Sequence, residues 1–306
     1  MNELTIWKNG KILPQSEGHL SIYDSALMFG DMAFEMTRTY NKRTFKLWEH
    51  LERLFVSLKI LEIDIPYSFD DIYGAYENLT IHNRKCFKKD DEIRGLINVS
   101  RGLLPIYSSM GKLEPNIIIA NFPLRMIIKG MSKYYKGGVH AIVPSQRCIS
   151  QEFLDPKIKS RSRQHYQMAN LEVARSDKNA WALLLDPNGF VSEGTGSNFF
   201  LIKKKKFQLL TPKPINCLRG ISRQYVMDLA KKIGMTVIET DITQYDLAEA
   251  TEAFFTNTPF GIMPISKINN QWLGSVGNKT RKLMKAWMED VKCHFVDQTL
   301  EWDKND

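Results

Sequence analysis

Six residues, Glu193-Gly194-Thr195-Gly196-Ser197-Asn198, set one carboxylate and two glycines at the mouth of the apolar run 199–202. Upstream lie Leu183-Leu184-Leu185 and then Asp186-Pro187-Asn188-Gly189, a turn signature with Pro in second place. Together they predict a strand–turn–strand unit with an acidic corner whose backbone is accessible. A carboxylate at a strand end can be no more than a cap or a turn partner, and the flanking features decide otherwise here. Three sequence-distant elements have the chemistry to bind a phosphate. Gly220-Ile221-Ser222 opens a helix, whose free amides and dipole favour an anion. Thr256-Asn257-Thr258 follows a strand and offers hydroxyls and amides. Arg53 supplies a guanidinium that meets phosphate oxygens bidentately.

The elements that must position these groups follow from periodicity. Asn9-Gly10 between apolar runs 5–7 and 11–13 predicts a tight hairpin. A strand over 34–40 turns at Asn41-Lys42-Arg43 and returns through 45–47. A helix starts near Glu49, with Leu51, Leu54, Phe55, Leu58 and Leu61 on its buried face and His50, Arg53 and Ser57 as a polar stripe beside it. Residues 117–120 read as a strand and 122–138 as an interdomain connection. The second half reads as strand 139–143, helix 167–175, the strand pair around Glu193, and a helix with Ile221, Val226, Leu229 and Ile233 on one face. Strand 236–238, short helix 247–250 and strand 253–255 follow. The division expected is an N-terminal α/β domain over 1–121, the connection, a C-terminal domain over 139–292, and a frayed polar tail over 293–306. Frequent hairpins argue against a purely parallel sheet, so two α/β or α+β domains with mixed sheets are expected.

Composition narrows the function classes. The chain has 306 residues, 43% hydrophobic and 25% charged, enough for a sizeable core. No apolar run reaches membrane-spanning length, and the start lacks a signal-peptide pattern, so no membrane partner is expected. The scattered Cys86, Cys148, Cys217 and Cys293 have no metal-ligand spacing; no metal, reduced thiols and a cytoplasmic location are expected. The net charge of +8 permits an anionic partner. Its most visible run, Lys203-Lys204-Lys205-Lys206, reads as a solvated hairpin tip. No nucleic-acid-binding signature is present, and Gly194–Gly196 leads into a strand rather than the helix of a dinucleotide fingerprint.

Six pieces in one order resemble the class IV, fold-type IV, pyridoxal-phosphate aminotransferases, a family that includes branched-chain and D-amino-acid aminotransferases and aminodeoxychorismate lyase. They are Met28-Phe29-Gly30-Asp31 with Phe34, Glu35 and Arg38; Glu49-His50-Leu51-Glu52-Arg53-Leu54; Asp155-Pro156-Lys157-Ile158-Lys159-Ser160; Glu193 to Asn198; Leu218-Arg219-Gly220-Ile221-Ser222-Arg223; and Gly261-Ile262-Met263-Pro264-Ile265. The resemblance implies a smaller N-terminal α/β sandwich and a larger C-terminal pseudo-barrel. It implies pyridoxal 5'-phosphate as cofactor, with Lys159 as the Schiff-base lysine and Lys157 as runner-up. Arg161 and Arg163 stand near enough in sequence to depress the amine's pKa. It implies Glu193 as partner of the pyridine nitrogen, and Arg53, the amides at Ile221 and Ser222, Asn257 and Thr258 as the phosphate cup, with Arg163 close to the cofactor.

The same resemblance implies a transaminase moving an amino group between a donor with an apolar side chain and a 2-oxo acid. Phe34 and Phe260 are expected on the substrate side, with Arg38, Arg101 or Arg163 meeting the substrate carboxylate. A homodimer is implied, each site completed by the partner's loop near 103–110, which carries Tyr107. Two departures shape the alternatives. Arg163-Gln164 stands where branched-chain enzymes look to have Tyr, and resembles the lyases more. Ile106-Tyr107-Ser108 aligns with the carboxylate trap of D-amino-acid aminotransferases but lacks both of its cations. A lyase releasing pyruvate from aminodeoxychorismate is therefore the alternative, and a non-catalytic basic nucleic-acid binder a distant one.

Overall fold

The computed structural model describes residues 3–203 and 207–304. Its elements, in chain order, begin with β1 (Thr5–Lys8), β2 (Lys11–Pro14), α1 (Ser25–Phe29), β3 (Met32–Tyr40), β4 (Arg43–Thr44), α2 (Leu47–Ile60), α3 (Phe69–Asn83), β5 (Ile93–Ser100), β6 (Asn116–Pro123) and α4 (Arg125–Ile128). They continue through α5 (Ser132–Gly137), β7 (Val139–Ile142), α6 (Gln164–Ser176), β8 (Trp181–Leu185), β9 (Val191–Gly194), β10 (Ser197–Lys203), β11 (Gln208–Pro212) and α7 (Ile221–Lys232). The last are β12 (Thr236–Thr240), α8 (Gln244–Ala248), β13 (Ala250–Asn257), β14 (Gly261–Ile268), β15 (Gln271–Trp272), α9 (Asn278–Asp290) and α10 (Phe295–Lys304). Chain contacts define two compact units. Unit 1 comprises the described residues up to Ile127 together with Ile158–Ser162; unit 2 comprises Ile128–Lys157 and the described residues from Arg163 onward.

Unit 1 is a six-stranded sheet in the order β2-β1-β6-β5-β3-β4, antiparallel throughout. Asn9 and Gly10 both take positive φ, the pair of left-handed residues that a two-residue hairpin turn requires. Asn41 and Lys42 do the same, so the strand turns one residue early: β4 is Arg43–Thr44, and Leu47 already opens α2. Along α2, Leu47, Leu51, Leu54 and Leu58 recur at helical spacing and are buried with Ile72, Tyr76 and Leu79 of α3 against Ala33, Ile97 and Ile117 of the sheet. Each buried leucine contributes about 1.5–3 kcal/mol of hydrophobic stabilisation before entropy is counted. The start of α3 is fixed by a capping box between Ser68 and Asp71.

Unit 2 is a nine-stranded mixed sheet in which β10-β13-β14-β7-β8-β9 runs round until β9 pairs back onto β10. That closure makes the expected pseudo-barrel. Phe200 stacks on its cross-strand partner Phe254 at 5.1 Å, and Phe199 meets Phe255 edge-on at 6.0 Å. The expected strand–turn–strand unit is β8-β9-β10. Gly189, at φ +88°, closes the Asp186 turn, and Gly196, at φ +102°, closes the two-residue turn from β9 to β10.

Three expectations change. Residues 122–138 are not a bare connection: they hold the end of β6, α4 and α5, with Ile128 and Tyr135 buried. The expected frayed tail is α10. Phe295, Thr299 and Trp302 are buried, and the Asp303 carboxylate accepts from the amides of Gly130 (2.7 Å) and Ser132 (3.1 Å). Its polar composition hid an amphipathic helix with a narrow apolar stripe. Of the expected lysine tip, Lys204 to Lys206 lie outside the described residues, while Lys203 ion-pairs Asp246 (2.6 Å) and Glu249 (2.8 Å).

Candidate active site

In unit 1 the residues converge on β3. The pleat turns Ala33, Glu35 and Thr37 to one face and Phe34, Met36 and Arg38 to the other. Glu35, 1% exposed, takes the polar stripe of α2: Arg53 Nε donates to its Oε1 at 2.6 Å, Arg53 Nη2 to its Oε2 at 2.9 Å, and His50 Nδ1 lies 2.7 Å from Oε2. Burial by itself raises the Glu35 pKa, but the Arg53 charge, seconded by His50 and these hydrogen bonds, outweighs it and holds the carboxyl well below its ordinary 4.5. Burial lowers His50 below its ordinary 6.5 against the pull of Glu35. His50 is therefore neutral at pH 7, with Nδ1–H donating to Glu35. Arg53, expected in the phosphate cup, is thus the bidentate partner of a buried carboxylate.

On the other face, the segment Ile158–Ser162 folds with unit 1 although the chain on both sides of it belongs to unit 2. The Phe34 amide donates to the Lys159 carbonyl at 2.9 Å, and Ser160 bridges Ala33. The Lys159 ammonium lies 4.9 Å from the Phe34 ring centroid and the Arg161 guanidinium 3.7 Å from it. Lys157, the runner-up, is ion-paired to Asp155 at 3.0 Å.

The carboxylate-binding arginines sort differently than expected. Arg101 is tied down: it grips Asp31 through Nε (2.6 Å) and Nη2 (3.2 Å) and donates to the Leu61 and Glu62 carbonyls. These bonds tie the residue just after β5 to the turn between α1 and β3 and to the two residues just past α2. Arg38 is fully buried, its guanidinium 3.8 Å over the Tyr40 ring. Arg163 sits before the first residue of α6, 5.4 Å from the Tyr166 ring. Sequence reading missed Arg94, the cross-strand partner of Arg38. It is buried; Nη2 lies 3.3 Å from Met36 Sδ, while Nε and Nη1 have no hydrogen-bond partner among the described residues. Tyr107 stacks on Tyr23 at 5.2 Å.

In unit 2 Glu193 is 3% exposed and sits opposite Asn198 in the β9–β10 register. Its Oε1 accepts from the Tyr166 hydroxyl at 2.5 Å; its Oε2 accepts from Asn198 Nδ2 at 3.1 Å and the Leu218 amide at 3.2 Å. Gly220 precedes α7 in extended conformation, and no side chain caps the helix. A Cβ on Gly220 would stand 2.0 Å from Asn198 Oδ1, so only glycine lets the two pack. Ser222 and Thr258 hydroxyls lie 3.4 Å apart. Asn257 instead organises its own turn: its side chain donates to the Gly196 carbonyl and accepts from the Phe260 amide. Phe260 packs 5.4 Å from Trp181 and, with Thr195, Gly196 and Asn257, borders a cleft of about 250 Å³. Tyr166 and Asn198 are further residues that sequence reading left without a role; the Tyr166 contact depends on how α6 packs, which no local pattern encodes.

Residues 32–268 match the family model described as amino-transferase class IV. The chain belongs to the class IV aminotransferases. A Methanocaldococcus jannaschii protein is 32% identical over 298 residues, spanning 95% of this chain and 98% of its own length. Among solved structures, the branched-chain aminotransferase of Thermoproteus uzoniensis, crystallised with norvaline, superposes with a TM-score of 0.83 at 26% identity, covering 98% of each chain. The branched-chain aminotransferase of Thermobaculum terrenum, in its pyridoxal-phosphate form, gives 0.83 at 25% identity over 99% of this chain and 97% of its own. Membership bears out the expected fold type and activity class, and pyridoxal phosphate is the group in the T. terrenum structure. Among the described residues there is no cluster of metal-ligating side chains and no helix long and apolar enough to cross a membrane.

Proposed function

We propose that this class IV aminotransferase moves the amino group of branched-chain and related apolar amino acids to a 2-oxo acid, with pyridoxal phosphate as cofactor. The observation that carries the reading is Glu193: a buried carboxylate on β9 that accepts from the Tyr166 hydroxyl, the Asn198 side chain and the Leu218 amide, the last just ahead of an α7 N-terminus that no side chain caps. The donor set fits the cofactor. Within unit 2, the Ile221 and Ser222 amides with the Ser222 and Thr258 hydroxyls suit its phosphate and Glu193 suits a protonated ring nitrogen; the family resemblance alone assigns a phosphate contact to Arg53, whose Nε and Nη2 already meet Glu35. When bound, pyridoxal phosphate supplies an aldehyde that captures amines and a ring that accepts the electrons left by a departing α-proton. Lys159 would hold the group through its amine; once an amino donor displaced it, the freed Nζ would be the base that takes the α-proton and returns it. Glu193 keeps the nitrogen proton in place.

Arg94 replaces Arg101 as the cation we assign to a substrate carboxylate, because its Nε and Nη1 are buried without partners. Phe34 and Met36 share its sheet face by register and offer an apolar wall. The norvaline bound in the T. uzoniensis enzyme is an amino acid of that kind. Leu27 (68% exposed) and Phe29 (66%) on α1, and Ile106 (80%) and Met110 (58%) on the segment after β5, are exposed apolar side chains on two segments joined through the Ser25–Gly102 hydrogen bond and the Tyr23–Tyr107 stack. We assign this apolar surface to a homodimer contact; sedimentation showing a fully active monomer at assay concentration rules it out. The four free thiols suit a reducing compartment such as the cytoplasm.

Reduction of the yellow holoenzyme with borohydride followed by peptide mapping tests the assignment. The label is expected on Lys159; a label on Lys157 or elsewhere overturns it.

A further inference from the structure

Glu193 is gripped most closely by the Tyr166 hydroxyl. Tyr166 stands on the first turn of α6, a helix anchored by Ala169 and Val173 against Ala182 and Leu184 of β8. Its ring is packed edge-on by His165 at 4.3 Å. The ring is half-buried, and its O–H donates to Glu193 Oε1 at 2.5 Å. Burial and the Glu193 charge hold the Tyr166 hydroxyl well above its ordinary pKa of 10.0, so it remains a donor at every working pH. Of the other neighbours, the Arg163 guanidinium, 5.4 Å from the Tyr166 ring, pulls the hydroxyl pKa back down, while burial, first, raises the Cys148 thiol to about 11 and the Cys217 thiol further still.

The two carboxylate oxygens are held by different means. Oε2 is fixed by the Leu218 amide and by Asn198, whose Nδ2 also donates to the Leu218 carbonyl at 2.9 Å. One of these ties is a backbone amide and the other a side-chain amide that is itself anchored to the backbone. Oε1 is met by a side-chain hydroxyl, which can be deleted without touching the chain. A hydrogen bond from a hydroxyl to a carboxylate is charge-assisted, and each such donor makes the carboxylate a weaker base.

We infer that Tyr166 is a positioning residue for Glu193: its hydroxyl fixes the rotation of the carboxylate and draws off part of its basicity, setting how firmly Glu193 holds the proton on the ring nitrogen of the cofactor. The inference rests on the reading of Glu193 as the partner of that nitrogen. It also assigns a role to a position outside the six motif segments, two residues beyond the Arg163-Gln164 departure.

Two measurements test it. In the full chain without cofactor, carboxyl-carbon NMR with labelled glutamate follows the Glu193 titration. Tyr166→Phe should raise its midpoint by about one unit, a tenfold gain in proton affinity. In the holoenzyme, Tyr166→Phe should lower kcat several-fold with KM little changed, and should cost nothing further in a Glu193→Gln background. An unmoved Glu193 midpoint, or the same kcat loss in both backgrounds, overturns the inference while leaving the role of Glu193 intact. If Glu193→Gln alone leaves kcat unchanged, the reading beneath falls and the inference with it.

Discussion

Glu35 is where single residues decide the most. It is a buried carboxylate whose charge is balanced by Arg53 and whose remaining lone pairs are met by His50. Removing one partner of such a pair strands the other, so Arg53→Ala should destabilise the cofactor-free protein by about 3–5 kcal/mol and weaken cofactor binding as well. An unchanged melting temperature would show that Glu35 does not depend on Arg53. The pH dependence follows with a definite sign. Glu35 in the folded protein lies below 4.5 and His50 below 6.5, so the unfolded chain takes up protons that the folded chain refuses. Stability present above pH 6.5 should therefore start to fall as pH drops through that value and fall further below pH 4.5. Thermal melts between pH 8 and 4 read this, and His50→Gln should flatten the upper part of the decline. The acidic corner at Glu193 was legible in the sequence because a two-residue turn and a period-two strand are local signals. Arg94, Asn198 and Tyr166 were not, because each acquires its role from register or packing: Arg94 from its place opposite Arg38, Tyr166 from the docking of α6.

At the level of elements, local chemistry and tertiary burial divide the work. The β1–β2 hairpin and the buried face of α2 were readable from Asn9-Gly10 and the leucine spacing. The end of the chain was not. In α10, Phe295 and Trp302 lie among acids and amides that dilute the apolar count, and only packing reveals the stripe. Phe295 meets Tyr135 at 6.0 Å and Trp287 at 6.3 Å, and a Cβ on Gly261, which sits at φ +71°, would come within 3.1 Å of its ring. Trp302 is 1% exposed. Trp302→Ala should accordingly cost about 3–5 kcal/mol. A urea midpoint unchanged by that substitution would mean that α10 is the loosely held tail its composition suggests.

For the whole molecule, the closed sheet of unit 2 holds Glu193, Asn198, Gly220 and Thr258 at the ends of strands β9, β10 and β13 and the start of α7, the arrangement that keeps polar groups ordered at the rim of an apolar barrel. Unit 1 holds Phe34, Glu35 and Arg94 on its antiparallel sheet, Arg53 on α2, and Lys159 on the 158–162 segment bridged to β3. If Arg94 meets the substrate carboxylate as proposed, the apolar wall of Phe34 and Met36 on its sheet face favours aliphatic donors over a substrate with a second carboxylate. The most direct test of that claim is a single-turnover comparison. Holoenzyme is mixed with L-leucine, L-isoleucine, L-valine, their D-enantiomers or aminodeoxychorismate, and the loss of the aldehyde form of the cofactor is followed by absorbance with the keto acid or pyruvate quantified. The account predicts rapid conversion with the apolar L-amino acids, matched mole for mole by keto acid. Pyruvate release from aminodeoxychorismate at a kcat/KM well above every amino acid would contradict it.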